Sequence, residues 1–165
     1  MKRAVLVIVL AGMLLATAGC LEEDTDETIE ATTVTMSEFW DDYREGRDNE
    51  TQTAMAILES FDDGDTIIVK DQIHNLTYNA LENVTIIRFS SYPSTDVSVE
   101  GDITNEFQEG DRVTLTSSII HVTFTQQLQG ESWTFHYETF KDGWDMDTNS
   151  RAAFPPATLE HANED

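Results

Sequence analysis

A single cysteine in 165 residues excludes any intrachain disulfide, so the fold must stand on its core alone. Basic residues are scarce as well: nine Lys and Arg face 32 Asp and Glu, for a formal net charge of -23. Phosphate backbones are held by Lys and Arg, and here Lys70, Arg88, Arg112 and Lys141 are scattered rather than aligned. Nucleic acid is therefore not expected as a partner. The longest apolar run, Ala4 to Leu15, is shorter than the roughly 20 residues that a lone transmembrane anchor needs.

Catalytic and metal-binding patterns are missing too. His74, His121, His136 and His161 show no zinc-ligand spacing. Ser90-Ser91 and Ser117-Ser118 lack the glycines of a nucleophile elbow, and no glycine-rich phosphate loop is present. Asp145-Met146-Asp147-Thr148-Asn149 begins like a calcium loop, but Ser150 stands where glycine is required and Pro156 where the bidentate glutamate should be. Asp62, Asp63 and Asp65 form a second acidic turn, read as solvated. No catalytic residue, metal or cofactor is assigned.

What is present begins with residues 1–19. Lys2 and Arg3 precede the apolar run, and small residues follow it, which is the layout of a signal peptide. Ala16-Thr17-Ala18 fits an ordinary cleavage site. Thr17-Ala18-Gly19-Cys20 resembles the lipobox of prokaryotic lipoproteins, with threonine where that family usually has leucine. The resemblance implies a diacylglyceryl group on Cys20, membrane lipid as the anchor, and an extracytoplasmic location on the outer face of the membrane. Loss of Lys2 and Arg3 leaves seven basic residues against the same 32 acids. That balance, with few lysines and many threonines, resembles proteins of salt-loving archaea, whose carboxylates keep the surface hydrated; strong dependence on ionic strength follows.

The rest reads as a tether, a domain and a tail. Residues 20–34 are an acidic, threonine-rich spacer, and residues 148–165, with Pro155-Pro156, are expected to fray. Residues 35–147 form one domain. Thr35 or Ser37 caps a helix whose apolar face is Met36, Phe39, Trp40 and Tyr43 and which ends near Gly46. Thr53 to Phe61 suits a second short helix through Met55, Leu58 and Phe61. Strands follow at Thr66 to Leu76, Val84 to Phe89, Asp96 to Gly101 and Arg112 to Phe124, with a phase change expected across Ser117-Ser118. Trp133, Phe135 and Tyr137 line one face of a last strand, with Phe140 in the opposite phase.

Gly64-Asp65-Thr66-Ile67-Ile68-Val69 and Gly110-Asp111-Arg112-Val113-Thr114-Leu115 are glycine-acid turns that open long strands. With the second strand from Asn83 to Phe89, they resemble the small OB domain of tRNA-anticodon-binding type found in prokaryotic lipoproteins of unknown function. The resemblance covers residues 60–140 and implies a mainly β fold: a five-stranded OB-like barrel preceded by one or two short helices. Asp71 or Gln72 stands where that family often has a glycine. A β-sandwich or an α+β sheet is the alternative. The resemblance also implies a binding face on strands two and three, here Arg88 and Tyr92.

Three acceptors for N-glycosylation occur, at Asn49, Asn75 and Asn83. Taken together, the chain is expected to be a membrane-tethered binding or structural module with an envelope protein or glycan as partner. An accessory lipoprotein hydrolase or solute-handling protein is the alternative. An intact mass of the membrane-extracted protein checks the anchor. The mass expected begins at Cys20 and carries diacylglyceryl, whereas a lipid-free mass beginning at Gly19 counts against it.

Overall fold

The structure, a computed structural model, describes residues 31–163. The export segment, Cys20 and most of the acidic tether lie outside the described residues. The elements are β1 (Thr32–Val34), α1 (Met36–Asp41), β2 (Tyr43–Asp48), β3 (Thr53–Leu58), β4 (Thr66–Asn79), β5 (Val84–Phe89), β6 (Val97–Glu100), β7 (Arg112–Leu128), β8 (Glu131–Phe140), β9 (Trp144–Asp145), β10 (Ser150–Arg151) and β11 (Leu159–His161). Among the described residues, no helix is long and apolar enough to cross a membrane.

The helix forms where expected and stops sooner. Thr35 accepts from the Glu38 backbone N–H, and the Glu38 carboxylate accepts from the Thr35 N–H, a reciprocal capping box. At the far end the Asp42 carboxylate accepts from the backbone and hydroxyl of Ser60, at 2.9 and 2.6 Å. That clamp turns the chain into β2, which antiparallel pairing joins to β3. Thr53 to Phe61 is therefore mostly strand, not a second helix. Its apolar residues satisfied a helical period, but β8, far along the sequence, supplies a parallel partner for Thr53 to Ala56.

The mainly β character holds, but the barrel does not form. Strands run in the order β2-β3-β8-β7-β4-β5-β6 within a nine-stranded mixed sheet; β1 adds in parallel to β4, and β11 adds antiparallel to β7. The two end strands, β2 and β6, do not pair. Closure would need a free edge on the last long strand. β8 has none from Thr134 to Tyr137, because β7 occupies one edge there and β3 the other. Nor is the layout a sandwich: β7 carries a single continuous sheet across the molecule. Curvature comes partly from a register shift in β4 between Ile73 and Asn75, close to Asp71-Gln72, where a glycine was absent.

Two turns match the sequence closely. Gly64 and Gly110 adopt φ of +96° and +94°, a region that a side chain disfavours, and each leads into a long strand. The Gly64 N–H donates to the Ile119 carbonyl, and the Gly110 N–H donates to the Ile73 carbonyl, so both turns are tied to the sheet.

β7 divides its pairing. Arg112–Ser118 pairs with β4, and Ile119–Leu128 pairs with β8. Val113, Leu115, Ser117 and Ile119 all face inward, and the burial phase changes only after Ile119, where Val122 is the next buried residue. The change was expected two residues earlier, at Ser117-Ser118. Ser117 stays inside because its hydroxyl donates to the Asp142 carboxylate at 2.6 Å.

The core gathers Met36, Phe39, Ile67, Val69, Ile87, Phe89, Val99, Leu115, Ile119 and Phe140. Phe154 and Leu159 join it, both almost fully buried. Part of residues 148–165, read in sequence as a fraying tail, is thus packed: β11 adds to β7, and Phe154 bridges to Val99 of β6. A β-carbon at Gly143 would sit 2.6 Å from the Phe154 ring. Gly143→Ala should therefore cost about 1–3 kcal/mol through overpacking, and Phe154→Ala about 3–5 kcal/mol, each read from urea unfolding in concentrated salt. A Phe154→Ala change with no loss of stability would mean that this segment does not belong to the core.

Candidate functional site: an aromatic cleft

Strand pairing decides which side chains meet on β2, β3, β8 and the second half of β7. Glu45 and Arg47 lie opposite Ala56 and Ala54. Ala54 and Ala56 lie opposite Phe135 and Tyr137, and Phe135 lies opposite Phe124. Because side chains alternate along a strand, these seven residues share one face. Alanine at two adjacent positions leaves the floor of that face low, while aromatic rings rise beside it. The β9–β10 hairpin then sets Trp144 and Arg151, a cross-strand pair, along the rim. The result is a cleft of about 590 Å³ lined by these groups, with Met55 and His136 also at its border. That volume is within the range of small-molecule sites.

The rings form a continuous series. Phe135 stacks on Phe124 at 5.1 Å, and Trp144 lies 6.1 Å from Phe124 and 5.4 Å from Tyr137. Tyr137 faces Tyr43 at 6.1 Å, Tyr43 stacks on Trp40 at 5.1 Å, and Trp40 stacks on Tyr92 at 6.2 Å. Trp40, Tyr43 and Tyr92 line an adjoining depression that shares Glu45, Ala56, Tyr137 and Arg151 with the cleft. Two guanidinium groups rest on indole faces: Arg47 over Trp133 at 4.1 Å and Arg151 over Trp40 at 5.8 Å. The indole N–H groups of Trp40 and Trp144 are buried without an acceptor among the described residues. Each such orphan costs about 1–3 kcal/mol, and both fall in the walls of this one region.

Tyr43 anchors the series. Its hydroxyl donates to the Glu138 carbonyl at 2.5 Å. Burial, reinforced by the neighbouring Tyr137, pushes its phenol well above the ordinary tyrosine range.

The opposite face of the same strands carries His121, Thr123, His136 and Glu138. Thr123 Oγ1 lies 3.3 Å from His121 Nε2, and His121 Nδ1 lies 3.4 Å from Glu138 Oε1. The connectivity is that of a nucleophile, a base and an orienting acid. However, both contacts are longer than an activated pair requires, and the register directs the group away from the cleft. Glu138 is also occupied elsewhere, its Oε2 accepting from the Leu58 N–H at 2.7 Å.

The residues singled out from sequence are dispersed. Arg88 is exposed and held by Asp96 at 2.6 Å, while Tyr92 belongs to the aromatic series instead. The acceptor asparagines Asn49 and Asn83 are exposed, in a turn and at a φ of +54° respectively; Asn75 is half-buried in β4 and donates to Glu109. The Asp145 carboxylate accepts from the Asp147 N–H and the Thr148 hydroxyl, closing the turn between β9 and β10, and these bonds hold its pKa below the usual value. Asp63 and Asp65 likewise accept backbone N–H groups, from His121 and Asp62.

Sequence reasoning missed Arg47, Arg151 and the two alanines. The available signal was the alternation Ala54-x-Ala56 beside aromatic strands, and it was hidden by the helical reading of that segment.

No protein-family model matches the chain, and no curated protein matches it. Among solved structures, the chain is similar to a chain of a replication protein A heterotrimer bound to ssDNA. The identity is 11%, the TM-score is 0.35, and the match covers 67% of this chain and 80% of that one.

Tyr43→Phe tests the anchor of the series. Folding raises the phenol's affinity for its proton, so the stability it carries is complete below the ordinary pKa of 10.0 and is lost as pH climbs above it. The variant should lose about 1 kcal/mol near neutrality and fall less steeply than the parent in alkaline unfolding. Identical alkaline limbs would show that this phenol does not govern them.

Proposed function

We propose that this chain is a membrane-tethered extracytoplasmic module that binds a small, largely apolar solute in the aromatic cleft. The observation that supports it is the cleft itself, about 590 Å³ walled by Phe124, Phe135, Tyr137 and Trp144 over an alanine floor. Aromatic walls supply much apolar contact at low conformational cost, since each ring has only two side-chain torsions. The walls are also held from behind: Tyr43 is fixed by its hydrogen bond, and Trp144 sits in a hairpin closed by Asp145. A site built on strands loses little freedom when it is filled. The tether rests on the sequence, through the signal-like segment and Cys20.

The neutral fluorophore N-phenyl-1-naphthylamine provides a direct test. Its emission should rise and saturate with one equivalent of protein, and Ala56→Trp, which raises the floor, should abolish the rise. Circular dichroism and melting temperature of the variant should match the parent. Saturable binding that survives Ala56→Trp in a folded variant would place the site elsewhere.

A further inference from the structure

The charge at the cleft runs against the charge of the molecule. Seven basic residues remain once Lys2 and Arg3 are removed, and they face 32 acids. In such a chain an arginine is expected to have a carboxylate beside it, as Arg44 does with Glu59 and Arg88 with Asp96. Arg47 and Arg151 both line the cleft, and neither forms an ion pair among the described residues. Each guanidinium is laid on an indole face instead. Stacking fixes the group in place and leaves its edge donors unspent. The buried indole N–H groups of Trp40 and Trp144 have no acceptor among the described residues, which adds further positive potential to the walls. Among the described residues, Glu45 is the one acid that lines the cleft.

We infer that the solute is a planar apolar anion: an aromatic body stacked among Phe124, Tyr137 and Trp144, with a carboxylate or similar compact anionic group met by Arg151. This rests on the cleft being a binding site, and it adds the sign of the ligand's charge. An anion accepts charge-assisted hydrogen bonds from the guanidinium edges, while its ring takes the place of water on the aromatic walls. A cationic ligand of the same shape would meet the like charge of Arg151. The long-range field of the protein favours the cation, so the two expectations are opposite and separable.

Three ligands of one shape make the test: 2-naphthoate, its neutral amide 2-naphthamide, and 2-naphthylmethylammonium, each titrated against tryptophan fluorescence. In about 1 M salt the screening length is about 3 Å, which removes the overall field and leaves contact interactions. The expected order of affinity is naphthoate, then naphthamide, then the ammonium compound. Arg151→Gln should weaken naphthoate about tenfold or more while leaving naphthamide within about twofold. Equal binding of naphthoate and naphthamide, or preference for the ammonium compound, overturns the inference and leaves the cleft standing as a site. Binding of none of the three overturns it together with the reading on which it rests.

Discussion

β7 pairs with two different strands in succession, and that handover is the constraint on which the rest of the molecule depends. Its 17 residues reach roughly 55 Å at the usual rise per residue. The first half, against β4, closes over the core, and the second half, against β8, extends beyond it. The change of inward phase after Ile119 lets one strand serve both surfaces. Near the handover, Ser117 is bonded to Asp142, and Gly143 admits the Phe154 ring. Those two contacts set the path of the chain into the β9–β10 hairpin. They place Trp144 and Arg151 over the extended half, where the cleft lies.

The acids have more than one task. A composition with 32 carboxylates suggests a hydrated, self-repelling shell. Many are also committed to backbone N–H groups at places where the chain turns: Asp42 at the end of α1, Asp48 before β3, Asp111 before β7, and Asp145 before β10. Asp71 joins three segments, accepting from Met36, Gln72 and Ser91. Arg47 and Arg151 line the cleft beside Glu45.

Much of the fold was legible because it is written locally. The capping box at Thr35, the two glycine-acid turns, and the alternation through Ile67, Val69, Ile87 and Phe89 depend on residues close in sequence. Segments with distant partners were misread. Thr53 to Phe61 fits a helix in isolation and becomes a strand only because β8 offers an edge. The residues around Pro155 look like a tail until Gly143 and Val99 provide a seat for Phe154. The barrel failed for a related reason: β3 takes the edge that closure would need.

By itself the sequence determined the charge, the absence of disulfides, the signal-like segment with Cys20, the capped helix and the main strands. Each follows from composition or from spacing within a few residues. Only the tertiary structure decided that the sheet stays open, that the last segment is core, and that a cleft exists. The aromatic walls come from Phe124, Phe135, Tyr137 and Trp144, and the floor from Ala54 and Ala56, some 70 to 90 residues away. Their meeting is set by strand register. Register is a property of paired strands, and no single stretch of sequence contains it.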